Sequence, residues 1–544
     1  MIFLNSELLA LLLVAPCAFS TCSPVSADST VNQTSSCTLG PGERSHQVVN
    51  HSSSFWTYQT FKSSKFNPPE LDIITNDKPL APGLLFLTPG NFGPTPATKD
   101  VAPMIMTDDG QLVWEGPTTT DTVTNLHVST YQNNPVLTYW QGPVTVAPNT
   151  GHGYGNITFL DTSYSNILTF CPKLGLVTAD NSTYPCEADV HESLVTSRDT
   201  LLFIAHNVTQ ADLSSIGGPE NGWIYDSLVY DVEPRTGEIL YRWSAIEHVP
   251  VNETKVSLTT GGQNQSVPLN YCMANSAVDV GDTYLINGRH TSTVYLVDNR
   301  QGDLIWRLNG EDGGDFGPLP SDGKFSWQHH VRAHNVTNNS MVVSMLNNDG
   351  SAFVNRSRDS TGLVLKLALP PSKANIHSVD AVLKSPASSV PVDTNGQGSV
   401  ALLPNGNALI GYGQIPLARE YGPGEGSNTE IRWQARFGVD NLVQDYRIFK
   451  QEWEAIPTWP PSLYVDTTES ASEDGCFSAY ASWNGATDLM EWKVYVGPTE
   501  QTLSYIGSVP PRGFETKFRV GGPVLQVAAV TTNRHEYRSA SVSV

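Results

Sequence analysis

Along this chain the apolar residues fall in short runs, some alternating and some continuous, divided by Gly, Asn and Asp. No apolar stripe at helical spacing is sustained, so the pattern predicts strands joined by tight turns. Two units recur. In one, a polar turn leads into a strand ending on Trp: Asp109 to Trp114, Thr236 to Trp243 and Gln301 to Trp306. In the other, a polar turn feeds an apolar strand: Asp199 to Ile204, Asp282 to Ile286, Asn339 to Val343 and Gly406 to Ile410. The second unit repeats at a mean spacing of about 69 residues, which predicts an all-β propeller with long loops. Residues 60–455 hold between five and six such units, and six blades is the expected number. A pair of β-sandwiches or a β-helix is the alternative reading of so loose a repeat.

Pro457, Pro460 and Pro461 break this pattern and mark a linker. Beyond them, alternating strands at Ser478 to Trp483, Glu491 to Val496 and Val524 to Val530 predict a small β-sandwich resembling a fibronectin type III module. The expected organisation is therefore a leader at 1–27, an extension at 28–59, the propeller at 60–455 and the sandwich at 456–544.

Charge narrows the partners. Lys and Arg number 31 against 53 Asp and Glu, a net charge of −22, which opposes binding to a phosphate backbone. The run Leu8 to Ala15 is too short to span a bilayer and precedes small residues, so it reads as a secretory signal peptide, although no Lys or Arg precedes Arg44. No later stretch is long and apolar enough to span a membrane as a helix. Ten N-x-Ser/Thr sequons follow, at Asn32, Asn50, Asn156, Asn181, Asn207, Asn252, Asn264, Asn335, Asn338 and Asn355. Together with the leader they predict an extracellular glycoprotein. Cys171 and Cys186 enclose a short Pro-containing loop and are an expected disulfide. Cys37, Cys272 and Cys476 cannot be paired from spacing.

The candidate chemistry lies between Tyr271 and Asn335, in three fragments: Tyr271-Cys272-Met273-Ala274-Asn275-Ser276, Asn287-Gly288-Arg289-His290 and Trp327-Gln328-His329-His330. Imidazole can serve as base, acid or nucleophile, and guanidinium offers a fork of donors to an oxyanion. No metal site or cofactor is expected. His330 and His334 would lie ~13 Å apart on a strand, and no Glu stands between them as in a zinc-protease helix. Gly151-His152-Gly153-Tyr154-Gly155 lacks the Lys-Ser/Thr ending of a phosphate loop and reads as a flexible turn. Gly-x-Ser-x-Gly is absent, so a serine-hydrolase elbow has no support.

These fragments, in their order, make the chain resemble the arylsulfotransferase family in its secreted fungal branch. The resemblance runs through Phe61-Lys62-Ser63, Leu137 to Gly142, Asp189-Val190-His191-Glu192, Gly288 to Thr293, Trp327-Gln328-His329, Leu403 to Asn407 and Ser482 to Thr487. It implies a six-bladed propeller that moves a sulfuryl group from a phenolic sulfate to a phenol, a small aromatic substrate, without a nucleotide donor. It places the nucleophile on His329, the sulfate clamp on Arg289, a further active-site histidine on His191 and a substrate contact on Asn275. The pattern His-x-Asn-Ser departs here, with Met273 where the family has histidine. Methionine donates no hydrogen bond, so a weakened propeller that binds phenolic or glycan ligands is the alternative.

Strand geometry adds three expectations. Phe325 to His334 reads as extended, so His329 and His330 should face opposite ways, with Arg332 and His334 on the side of His330. Likewise His290 should lie opposite Arg289. Bland readings would pair Arg289 with Asp279 or Asp282, and leave His191 a loop histidine beside Glu192.

Overall fold

The computed structural model describes residues 37–50, 53–93, 95–145, 151–351, 359–373, 377–385, 391–423, 430–468 and 475–544. The leader, Asn32 and Asn355 lie outside these residues. The described chain is nearly all-β, with one four-residue α-helix (Ala245–His248) and six short 3-10 turns.

Between Asp72 and Gln451 the strands form six antiparallel sheets of four or five strands, nearly all in chain order. The first sheet holds Leu84–Leu87, Met104–Met106 and Leu112–Glu115, and takes its first strand, Phe449–Gln451, from far down the chain. The second runs Thr122–Tyr131, Asn134–Gly142, Asn156–Leu160 and Asn166–Phe170. The third runs Ser193–Val195, Leu201–Ala211, Gly222–Val232 and Ile239–Ser244. The fourth runs Ala274–Val280, Thr283–Gly288, Thr293–Asp298 and Leu304–Asn309, and the fifth His329–His334, Ser340–Asn347, Thr361–Ala368 and Ser378–Leu383. The sixth runs Ser399–Leu402, Ala408–Gly411, Leu417–Tyr421 and Ile431–Arg436, with Asp72–Thr75 added at its outer edge.

Burying a strand on both faces requires a neighbour on each side, and the core follows that rule. Leu202, Ile204 and Trp243 of the third sheet pack with Ala277, Tyr284 and Ile286 of the fourth. Leu285 and Trp306 of the fourth pack with Val343 and Leu365 of the fifth. Leu85 and Met104 of the first pack with Leu409 and Trp433 of the sixth, so the succession returns to its start.

Residues 462–543 form two further sheets around a separate core that includes Trp492, Val494, Phe518 and Val527. The N-terminal segment is stitched to this region: Glu43–Arg44 pairs with Glu515–Val520, and Cys37 is disulfide-bonded to Cys476. Cys171 and Cys186 are bonded as expected, and Cys272 is free and buried.

Candidate functional site

Each of the six sheets contributes to one end of the assembly through the start of its first strand. His191 and Glu192 precede Ser193–Val195, Met273 precedes Ala274–Val280, and His329 opens His329–His334. Gln397 lies just ahead of Ser399–Leu402, and Asp445, Tyr446 and Arg447 lie just ahead of Phe449–Gln451. Asn125 and His127 sit in the first strand of the second sheet. In an antiparallel pair the end of the second strand returns to the start of the first. Arg289 and Asn348 therefore join the same end, each just past a second strand, and the Arg289 N–H donates to the Met273 carbonyl at 3.0 Å.

His329 is buried, and its tautomer is set by its partners. The Asn348 amide nitrogen donates to the Thr394 and Gln397 carbonyls, both at 3.1 Å, which leaves Asn348 Oδ1 as an acceptor. His329 Nδ1–H then donates to that oxygen at 2.7 Å. Nε2 keeps its lone pair and accepts the Gln397 N–H at 3.1 Å. Burial, then the nearby Arg289 charge, holds the imidazole well below its usual range, so the ring is neutral.

Arg289 is a buried guanidinium that no carboxylate balances among the described residues. Nη1 donates to His290 Nε2 at 2.7 Å and lies 3.9 Å from Met273 Sδ; Nη2 donates to the Asn395 carbonyl at 2.8 Å. Nε has no partner among the described residues, and the cation lies over the Trp327 ring. Burial pushes its pKa down to about 10. Burying a cation without a counter-charge is costly, and its guanidinium fork has the geometry to pair with an oxyanion. The ion-pair alternatives fail, since Asp279 takes Ser197 and Arg198 instead.

His191 donates from Nδ1 to Asp189, not to Glu192. Its ring and that of His329 both stand edge-on to Tyr446, with centroids 5.5 Å and 6.4 Å away. Glu192 is clamped by Arg447 at 2.7 Å and Arg332 at 3.0 Å. Despite burial, those two cations hold its carboxyl down at about 2. Arg447 also donates to the carbonyls of His191 and Asn275, at 2.7 and 2.9 Å, tying three sheets together. The Asn275 amide donates to the Gln328 carbonyl at 2.9 Å and its oxygen accepts from Asn287 at 2.6 Å, which ties the strand starts together.

Three expectations change. His330 and Trp327 have φ of +53° and +56°, and a bulge falls between His329 and Arg332, so strict alternation fails there. His330 still leads away from His329, its Nδ1 meeting the Val400 carbonyl at 3.0 Å. Arg289 and His290 lie in a turn, not on a strand, and therefore touch each other. His152 is no part of a flexible turn: it lies buried in the strand His152–Gly153, and a Cβ on Gly153 would come within 2.7 Å of the Trp140 ring. His152, Asp189, His191 and His206 bring four donor atoms within 4.8 Å of one another.

A cavity of about 830 Å³ lies away from this cluster, lined by Phe66, Trp114, Tyr139, Tyr164, Trp459 and Glu115 among others. Burial, then the neighbouring Asp100, pushes the Glu115 carboxyl up to about 9.

The succession of β-sheets thus brings the buried histidines His290 and His329 to the same end as a buried arginine that no carboxylate balances among the described residues. The sequence pattern of the Arylsulfotransferase (ASST) family matches residues 127–438, more than half of the chain, and the chain belongs to that family. Its function is accordingly arylsulfotransferase-like. No curated protein sequence matches it. Among solved structures it is similar to a protein of unknown function from Bacteroides caccae, at 12% identity and a TM-score of 0.36, covering 68% of this chain and 98% of that one. It is also similar to a mutant GH43 protein from Bacillus licheniformis, at 8% identity and a TM-score of 0.28, covering 77% and 89%. Superpositions this loose assign no function.

Proposed function

We propose that the chain is a six-bladed β-propeller with a C-terminal β-sandwich that transfers a sulfuryl group from a phenolic sulfate to a phenol through a sulfo-histidine on His329. The ring of six sheets, with a core between neighbours, supports the first part; the two sheets packed on Trp492 and Phe518 support the second. The observation that carries the chemistry is the tautomer lock on His329, which leaves Nε2 unprotonated, its electron pair held by the Gln397 N–H alone, in the field of the unbalanced Arg289.

In the first half-reaction Nε2 attacks sulfur in line with the aryl oxygen. The N–S bond forms, the S–O bond breaks, and the phenolate leaves with the electron pair. The sulfonate takes the place of the Gln397 N–H contact, and Arg289 clamps its oxygens. The ring becomes cationic, and Asn348 Oδ1 continues to accept the Nδ1–H. The acceptor phenol then gives up its proton and attacks sulfur; the N–S bond breaks and neutral His329 returns. His191 is assigned to proton exchange with the phenol oxygens or to donation to the sulfonate. Incubation with a chromogenic aryl sulfate and no acceptor tests this. The expected result is one equivalent of phenol and an acid-labile sulfo group on His329. Absence of both, in the natural chain and in Met273→His, overturns it.

Met273 and the aromatic cavity favour a second reading, a weakened propeller that binds phenolic or glycan ligands. The two disulfides and the eight described sequon asparagines, all exposed or half-buried, support an extracellular glycoprotein. No described helix is long and apolar enough to cross a membrane.

A further inference from the structure

We propose that His152, Asp189, His191 and His206 form a binding site for a divalent transition metal of the zinc class. The four side chains come from separate segments: the strand His152–Gly153, the loop ahead of Ser193–Val195, and the middle of Leu201–Ala211. Their exposures are 0%, 1%, 3% and 1%. One donor atom from each lies within 4.8 Å of all the others.

Apart from the hydrogen bond of His191 Nδ1 to Asp189 Oδ1, the spacing suits a cation better than hydrogen bonds. Asp189 Oδ2 lies 3.6 Å from His152 Nδ1 and 3.4 Å from His206 Nδ1. Hydrogen bonds between nitrogen and oxygen close at about 2.7–3.2 Å. A tetrahedral ion with bonds of about 2.0–2.1 Å separates its ligands by roughly 3.4 Å. His152 Nδ1 and both ring nitrogens of His206 are buried with no hydrogen-bond partner among the described residues. Leaving three such atoms unpaired is costly, and a metal ion takes up the lone pair of one nitrogen on each ring.

Charge and outer contacts agree. Asp189 has no Lys or Arg partner among the described residues; its ion-pair neighbours are these three histidines. It accepts the N–H groups of Gly153 at 2.9 Å and His191 at 3.0 Å, which hold it as a carboxylate. His152 Nε2 meets the Asn270 amide at 2.9 Å, and Asn270 Oδ1 is left without a partner as oriented. Turning that amide over lets Nε2–H donate to Oδ1 and directs the Nδ1 lone pair into the cluster. Metal-bound histidines use this arrangement of the second ring nitrogen. Three imidazoles and one carboxylate select Zn²⁺ and its neighbours over Mg²⁺ or Ca²⁺.

Four protein ligands leave no open position, so the ion acts as a brace between the ribbon of Val144–Thr145 and His152–Gly153, which connects two strands of the second sheet, and the third sheet. A metal on His191 Nδ1 replaces the Nδ1–H bond to Asp189 and leaves the proton on Nε2, which makes His191 a donor beside Tyr446. The site itself does not depend on the sulfuryl-transfer reading.

The test uses the full chain, stripped with a chelator and titrated with Zn²⁺ and with Co²⁺ alone. The expected result is one equivalent of Zn²⁺ by elemental analysis, and the visible absorption of four-coordinate Co²⁺. His206→Leu removes a ligand and lowers affinity by more than ~100-fold; Asn270→Ala keeps all four ligands and lowers it by ~10–100-fold. Circular dichroism confirms that each variant is folded, and Asn270→Ala carries the test if His206→Leu is not. No uptake of either ion overturns the proposal. So does binding that Asn270→Ala and every folded ligand variant leave unchanged, since the metal then sits elsewhere.

Discussion

Met273→His separates a slow enzyme from a binding protein. Met273 is buried with Sδ 3.9 Å from Arg289 Nη1, so an imidazole there reaches the edge of the anion the guanidinium would hold. One added N–H donor in a preorganised oxyanion site is worth about 2.7–4 kcal/mol, or ~10²–10³ in rate. The backbone accepts the change. Met273 has φ of +51°, a left-handed conformation in which His is enriched relative to most side chains. Stability should therefore stay within about 1 kcal/mol of the natural chain. Next to Arg289 and out of water, the new imidazole remains neutral and donates one N–H. The assay is the initial rate of phenol release from a chromogenic aryl sulfate with a second phenol as acceptor. It is run in both backgrounds with and without Arg289→Gln. The expected outcome is a gain of about 10²-fold in kcat/KM that Arg289→Gln abolishes. A folded Met273→His no faster than the natural chain, when both need Arg289, refutes the claim that position 273 faces the transferred group. If all variants are inert yet aryl sulfates bind, the enzyme reading falls and the binding reading stands.

Three further outcomes follow from the same contacts. Arg289→Lys cannot reproduce the fork that reaches both His290 and the Asn395 carbonyl, and transfer should fall by ~10²-fold or more while the fold persists. Asn348→Leu removes the acceptor that keeps the proton on His329 Nδ1; kcat should drop on the order of 10²-fold or more, with a smaller change in KM. Burial pushes the Asp445 carboxyl up to about 7 against ~3.9 unfolded, so the native state holds a proton that the unfolded chain releases. This group therefore removes stability as pH rises from about 4 to about 7, and the deficit persists above that range. In Asp445→Asn that slope should vanish, with a gain of up to about 4 kcal/mol at pH 8 in denaturant titrations. Equal slopes in both proteins would contradict the assignment.

The repeat was legible because it follows from burial. The apolar units starting near 199, 282, 339 and 406 became the second strands of four successive sheets, Leu201–Ala211, Thr283–Gly288, Ser340–Asn347 and Ala408–Gly411. The Trp units became fourth strands, Leu112–Glu115, Ile239–Ser244 and Leu304–Asn309, whose indoles fill gaps between neighbouring sheets. Pairings of two to four residues between distant segments were not legible. Glu43–Arg44 with Glu515–Val520 and Phe449–Gln451 with Leu84–Leu87 are too short to carry a period. The same limit left Cys37 and Cys476 unpaired until their strands were placed.

For the site, residue type was a better guide than local geometry. Arg289 and His329 stand at one end of the ring because each closes or opens a strand there. Alternation failed at His330, where the φ of +53° turns the chain within a bulge. Glycine misled at 151–155, since Gly153 and Gly155 are small to admit the Trp140 ring, and this close packing buries His152. The His152, Asp189, His191 and His206 cluster lies beyond any motif scan for a physical reason. Its ligands and their outer partner Asn270 come from separate strands and loops, and only closure of the sheets brings them together. A buried histidine reads in sequence as one polar residue in an apolar run, as His206 does in Leu201 to Val208. That interruption is the available signal: a charge-capable side chain inside a fully buried strand needs a partner, and its partner lies across the sheet boundary.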